Sequence, residues 1–207
     1  MYLPKHFEVT DPATLHAVVD ACPLATWATV VDGLPVVNHV PFHLDPTRGE
    51  HGTLIGHVAR ANPVWRSPAP SVLVFQGSDA YISPNWYPSK RENGKAVPTW
   101  NYAVVHAHGT PQVTEDPVLL HAIVSKLTHV HEAAQAHPWA VDDAPPDYVQ
   151  QMLRAIVGIE IPVQRWVGKF KLSQNHAAAN RQGAVDGLNQ TRAGHPVAAL
   201  MQQHAPT

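Results

Sequence analysis

The chain has 207 residues and a formal net charge of −2, and only 14% of it is charged, against roughly 25% in an ordinary soluble domain. Hydrophobic residues make up 44%, enough for the core of one domain, while 14 Lys+Arg against 16 Asp+Glu leave no basic excess for broad phosphate neutralisation of nucleic acid. The one cysteine, Cys22, excludes an intrachain disulfide framework and a thiolate zinc cluster.

Asp11 to Ala21 reads as a short helix with Pro12 in its first turn and Leu15, Val18 and Val19 on one face. The period then changes to two. Residues 25–31 and 34–44 flank Asp32-Gly33, a hairpin signal, and 53–58 follows as a third strand. Residues 59–67 suggest one helical turn, 71–77 and 80–83 two strands, 85–98 a long polar loop, and 99–113 a further strand. Helical spacing returns over 117–134 and 145–157, strand alternation over 158–172, and a helix capped by Ser173 over 173–188. The expected class is α+β: an antiparallel split β-barrel of about six to seven strands with peripheral helices. Residues 1–192 are expected as one domain with a helical C-terminal part, and 193–207 as a flexible tail.

Neither a Walker loop, GxGxxG, HExxH nor GxSxG occurs, and no paired carboxylates or activated nucleophile announce an enzyme. Among 15 histidines, His106/His108 and His129 with Glu132 form pairs, which fall short of the three or four converging ligands of a metal site, so no metal is assigned. Three segments could bind a ligand. Residues 81–102 set Tyr81, Trp86, Tyr87, Trp100 and Tyr102 beside Ser83, Asn85, Lys90, Arg91, Thr99 and Asn101, a mixture suited equally to a flat phosphorylated heterocycle and to an aromatic-pinned loop or dimer interface. Residues 56–63, GHVARANP, end a strand at His57 and set Arg60 and Asn62 where a helix N-terminus could meet an anion, or form a routine cap. Residues 169–175, KFKLSQN, put Lys169, Lys171, Ser173, Gln174 and Asn175 at a strand-to-helix junction.

Together GTLIGHVARANPVW (52–65), VFQGSDAYISPNWYPSK (74–90), VPTWNYAVVHAHG (97–109) and GKFKLSQN (168–175) resemble the PaiB-like family of FMN-binding negative transcriptional regulators, over nearly the whole chain. The resemblance implies an FMN-binding split barrel related to pyridoxamine-phosphate-oxidase-like flavoproteins. It further implies a homodimer with flavin sites at the subunit interface, and a repressor role. On that reading the cofactor-binding residues are His57, Arg60, Asn62, Ser83, Trp86, Tyr87, Lys90, Thr99, Trp100, Asn101, Lys171 and Gln174, with the phosphate near Arg60 and Asn62 and Lys90 as a further contact. Lys171 and Gln174 would reach the flavin from the second subunit. The family often continues its last motif with arginine, where this chain has His176.

The alternatives are a flavin-dependent oxidoreductase of the split-barrel group and a binder of another flat cofactor such as haem. DNA is a weaker partner expectation: residues 1–150 hold 8 Lys+Arg and 14 Asp+Glu, a net of −6, whereas residues 151–207 hold 6 and 2, a net of +4. No apolar run approaches the roughly 18 residues that span a bilayer, so no membrane partner is expected. MYLPKHFEVTD lacks the pattern of a secretory signal, and a cytoplasmic location is expected.

Overall fold

The Asp32-Gly33 turn starts the sheet. Both residues lie in the left-handed region, φ 51° and 78°, the backbone a primed two-residue turn requires. It pairs β2 (Leu24–Val31) with β3 (Leu34–Asp45) along their full length, from Val31↔Leu34 to Leu24↔Pro41. A computed structural model describes residues 1–205.

In chain order, β1 (Glu8–Val9) and α1 (Pro12–Ala21) precede that hairpin, and β4 (Thr53–Ala59) and β5 (Ser71–Ile82) follow it. Next come α2 (Pro88–Asn93), β6 (Thr99–Gly109), β7 (Gln112–Thr114), α3 (Pro117–Glu132), α4 (Pro146–Arg154), β8 (Ile156–Lys171), α5 (Ala178–Thr191) and α6 (Pro196–Gln203). The sheet runs β1-β8-β4-β3-β2-β5-β6, with β7 on β8 and a further β8–β6 pairing that closes a ring. The chain is thus an α+β protein built on an eight-stranded antiparallel sheet that closes as a split barrel.

Several elements depart from the sequence expectation. Residues 71–77 and 80–83 are one twelve-residue strand, β5, because Ser78 and Asp79 continue the extended backbone. The expected polar loop 85–98 opens in a 3-10 turn, Pro84–Trp86, and contains α2, which ends on Gly94 at φ 71°. Ser173 does not cap α5. It sits at φ 65° in the turn before it, and the cap position is Ala177. Residues 196–203, within the expected flexible tail, form α6 with Val197, Ala198 and Met201 buried; residues 206 and 207 of that tail lie outside the described residues.

Chain contacts divide into two compact units. One comprises Met1–Leu15, Gln76–Val105 and the chain from Val167 onward; the other comprises His16–Phe75 and His106–Trp166. The second unit has the larger core. Trp27 meets Phe42 edge-to-face at 6.2 Å, Leu54, Leu73, Phe75, Ile159 and Ile161 are fully buried, and α3 closes over β4 by packing Ile123 and Leu127 near Ile55. In the first unit Tyr87, Phe170, Leu172, Leu188 and Val197 are buried, and Phe170 meets His204 at 4.9 Å.

Candidate functional site

Lys169 and Lys171 lie two apart on β8, so their side chains leave the same face of the strand about 7 Å apart. Lys169 is only 8% exposed; its ammonium donates to the Tyr2 carbonyl at 3.0 Å and stands over the rings of Tyr2 and Tyr102 at 5.6 and 5.5 Å. Lys171 donates to the Thr99 hydroxyl and to the Trp100 carbonyl, the latter at 2.6 Å. Neither forms an ion pair among the described residues, although Glu8 is the register partner of Lys169 across β1. Burial, then the charge of Lys169, lowers the pKa of Lys171. Both effects express positive charge that is poorly solvated and has no counter-ion, the condition an anion relieves.

A ring platform stands at the same end of the strand. Trp100, whose carbonyl holds Lys171, is 54% exposed and meets Tyr81 edge-to-face at 6.0 Å. His176 stacks on Tyr87 at 5.1 Å and 28°. Its pKa is lowered by burial and then by Lys171, so His176 adds an imidazole to this cationic corner. Behind it a buried polar group fixes the turn: Asn101 donates to Ser173 Oγ at 3.0 Å and accepts from it at 3.2 Å, and also donates to the Met201 sulfur at 3.3 Å. Those bonds hold Ser173 at a backbone angle rare for a residue with a Cβ. Tyr87 Oη, near Ser173 but outside good hydrogen-bond geometry, is buried without a partner.

The first unit therefore contains Ser83, Trp86, Tyr87, Lys90, Thr99, Trp100, Asn101, Lys171 and Gln174, in different states of engagement. Ser83 caps the Pro84–Trp86 turn through Asn85 N at 3.2 Å, and Lys90 donates to Asn85 Oδ1. Gln174 spans its own turn, accepting from Leu172 N at 2.7 Å and donating to Phe170 O at 2.6 Å. Trp86 lies against Gly183 and Gly187 of α5, where any Cβ would fall 2.1 to 2.3 Å from its atoms. Lys171, Thr99 and the Trp100 ring are thus left to meet a ligand. Lys169, Tyr81 and His176 join that corner: Lys169 by its period-two spacing from Lys171 on β8, Tyr81 by its contact with Trp100 and His176 by its stack on Tyr87.

His57, Arg60 and Asn62 belong to the second unit. The helical turn expected within 59–67 is a four-residue 3-10 turn, Pro63–Arg66, whose cap Asn62 accepts from Val64 N at 3.1 Å and donates to Asn38 Oδ1 at 2.8 Å. The Arg60 fork donates to Glu115, to Arg154 O at 2.8 Å and to Ile156 O at 3.1 Å. No free run of N–H donors is therefore presented to an anion there. His57 Nδ1 is buried without a partner, and burial lowers the pKa of the ring.

His106 and His108 have rings 6.4 Å apart, and among the described residues no three His, Cys, Asp or Glu converge as a metal site. The histidines do act together on stability. His43, His57, His106, His108, His176 and His204 all have pKa values lowered below 6.5, burial being the main cause each time. Around pH 6 the unfolded chain therefore binds more protons than the folded one, so stability rises with pH in that window. We expect Tm to be highest above about pH 7 and to fall as the pH drops through the ordinary histidine pKa of about 6.5; a Tm that is flat or rises between pH 7.5 and 5.5 would contradict these burial assignments.

Residues 1–165 match the family model described as "Putative FMN-binding domain". The chain is 34% identical over 191 residues to "Protease synthase and sporulation protein PAI 2" of Bacillus subtilis, covering 91% of this chain and 89% of that protein. Among solved structures, the flavocytochrome Anf3 of Azotobacter vinelandii superposes with a TM-score of 0.62 at 14% identity, covering 82% of this chain and 72% of that one. The FAD and haem binding protein of Mycobacterium smegmatis gives 0.59 at 19%, covering 79% and 73%. At those identities the two structures establish a shared fold.

Proposed function

The chain belongs to the PaiB-like family of FMN-binding-domain proteins, and from that membership we propose that Lys171 takes the flavin phosphate while the Trp100–Tyr81 pair offers its ring faces to the isoalloxazine. The observation that carries this reading is a lysine pair, Lys169 buried and Lys171 half-buried, with no carboxylate partner among the described residues and beside an exposed tryptophan. A phosphate would neutralise Lys171 and Lys169 in a partly desolvated corner, where a charge-assisted bond is worth most. Thr99 can donate its hydroxyl to the same anion while its Oγ1 still accepts from Lys171. Lys90 adds a further cation if it leaves Asn85. Arg60 spends three of its five N–H donors on Glu115, Arg154 O and Ile156 O, and in this proposal it holds the 59–66 turn. Bound FMN would supply the redox chemistry, and the chain would supply binding and orientation.

The proposal extends to a homodimer. Leu24, Val30, Leu34 and Val37 of the β2–β3 hairpin are exposed apolar side chains, which favour burial against a second copy. A repressor role, the remaining part of the family reading, rests on the net +4 of residues 151–207. It predicts DNA affinity that falls steeply with salt in a mobility-shift assay. No helix is long and apolar enough to cross a membrane among the described residues.

Titrating the purified chain with FMN tests the proposal. We expect flavin fluorescence to be quenched to saturation at one FMN per chain, with a Kd in the micromolar range or tighter. No saturable binding, or a chain that takes haem and shows a Soret band in place of flavin absorption, would overturn it.

A further inference from the structure

The second unit contains a cavity of about 290 Å³ that the lysine corner does not use. Its floor is β4 at His57 and its walls are α3, α4 and the residues joining them, including Val124, Val141, Val149 and Leu153. The lining is almost wholly apolar. Around it Trp139, Tyr148 and Met152 are all exposed, a group of large apolar side chains that folding alone leaves in water. Tyr148 and Met152 lie four apart on α4 and so share its face. Into this apolar setting the chain places one imidazole, that of His57, whose Nδ1 is buried with no hydrogen-bond partner. A buried polar atom without a partner costs stability, and the ring that carries it lines the cavity.

We propose that this cavity is a ligand site separate from the flavin corner, for a small neutral aromatic molecule carrying one hydrogen-bond donor of phenol or indole type. The volume accommodates a bicyclic ring system, small pockets of this size and lining being typical of apolar ligand sites. The rings of Trp139 and Tyr148 supply aromatic contact at the mouth, and Met152 supplies an adaptable thioether. The donor would satisfy the unprotonated nitrogen of His57. Burial keeps that imidazole neutral at neutral pH, so it acts as an acceptor rather than as a charge that would select anions. A ligand without the donor would leave the His57 acceptor unpaired, which makes the donor a requirement for tight binding.

The test uses 2-naphthol, a fluorescent probe with one hydroxyl, and 2-methoxynaphthalene, which has the same ring and no donor. Each is titrated into the full chain with and without saturating FMN. The proposal predicts saturable 2-naphthol binding at one site per chain, at least tenfold tighter than 2-methoxynaphthalene and unchanged by FMN. In His57→Leu the tenfold preference should disappear while 2-methoxynaphthalene binds as before. Val124→Phe and, as a second filling variant at another wall, Ala144→Leu should weaken both probes at least tenfold while the far-UV circular dichroism is retained. Displacement of 2-naphthol by FMN would identify the cavity with the flavin site and overturn the proposal. So would undiminished binding in both folded filling variants, or a preference for the hydroxyl that survives His57→Leu. Because FMN binding is read separately, failure here and failure of the flavin reading are distinguishable.

Discussion

Gly183→Ala is expected to destabilise the chain by about 3 kcal/mol, although alanine is the better helix former by about 1 kcal/mol. The sign is set by what the new methyl meets. A Cβ at Gly183 would lie 2.1 Å from the Trp86 carbonyl oxygen, and one at Gly187 would lie 2.3 Å from the Trp86 ring. The two glycines are four apart on α5 and form one flat face on which the Pro84–Trp86 turn rests. A flexible side chain could swing aside, but a carbonyl oxygen belongs to the backbone, and moving it displaces Ser83 to Tyr87 as a block. Thermal unfolding should show Tm lowered by about 6–12 °C for Gly183→Ala. Asn189→Ala, an exposed position on the same helix, should leave it nearly unchanged. A Gly183→Ala chain as stable as the parent would mean that α5 does not lie against that turn.

Trp27→Ala should cost about 3–5 kcal/mol, a large part of the roughly 5–15 kcal/mol that holds a domain folded. Trp27 is fully buried on β2 and packs edge-to-face on Phe42 of β3, so truncation leaves a hole between paired strands that neither can fill. Trp27→Phe separates packing from polarity. Trp27 Nε1 is buried with no acceptor, and phenylalanine removes that orphaned donor while keeping most of the ring. Urea unfolding should therefore place Trp27→Phe within about 1.5 kcal/mol of the parent. Equal losses for Phe and Ala would show that the indole N–H has a partner after all.

What the sequence disclosed depended on whether the signal was local. The β2–β3 hairpin was legible because Asp32-Gly33 between alternating strands has one cheap backbone solution. Helix α3 was legible from the spacing of Leu120, Ile123 and Leu127. β5 reads as two strands because Gly77-Ser78-Asp79 breaks the apolar run, yet ladder pairing carries extended backbone straight through polar residues. α6 was missed because its burial depends on side chains from elsewhere in its unit, which no window of sequence contains.

The candidate site divides in the same way. Proximity in sequence identified 99–102 and 169–175 separately, and the fold joins them through Lys171 with Thr99 and Asn101 with Ser173, each pair 72 residues apart. By contrast, Arg60 and Asn62 carry the right chemistry for an anion, but much of their hydrogen-bonding capacity goes to Glu115, Asn38 and backbone groups. Residue type is written in the sequence, whereas spare capacity is decided only by the partners that folding supplies. The cavity at His57 was hidden for that reason as well, since the stripe of Tyr148, Met152 and Leu153 reads as an ordinary core face until Tyr148 and Met152 prove exposed.

The central claim is that Lys171 holds a phosphate, and comparing FMN with riboflavin in Lys171→Met measures it directly. The two flavins share the ring and differ in the phosphate, and methionine keeps much of the lysine stem's bulk without its charge. One charge-assisted hydrogen bond of about 1.5–3 kcal/mol corresponds to roughly a tenfold to hundredfold loss of FMN affinity. The account predicts that loss for FMN, with riboflavin affinity changed less than about threefold. Equal weakening of both flavins, or FMN binding unaffected by the substitution, would contradict it.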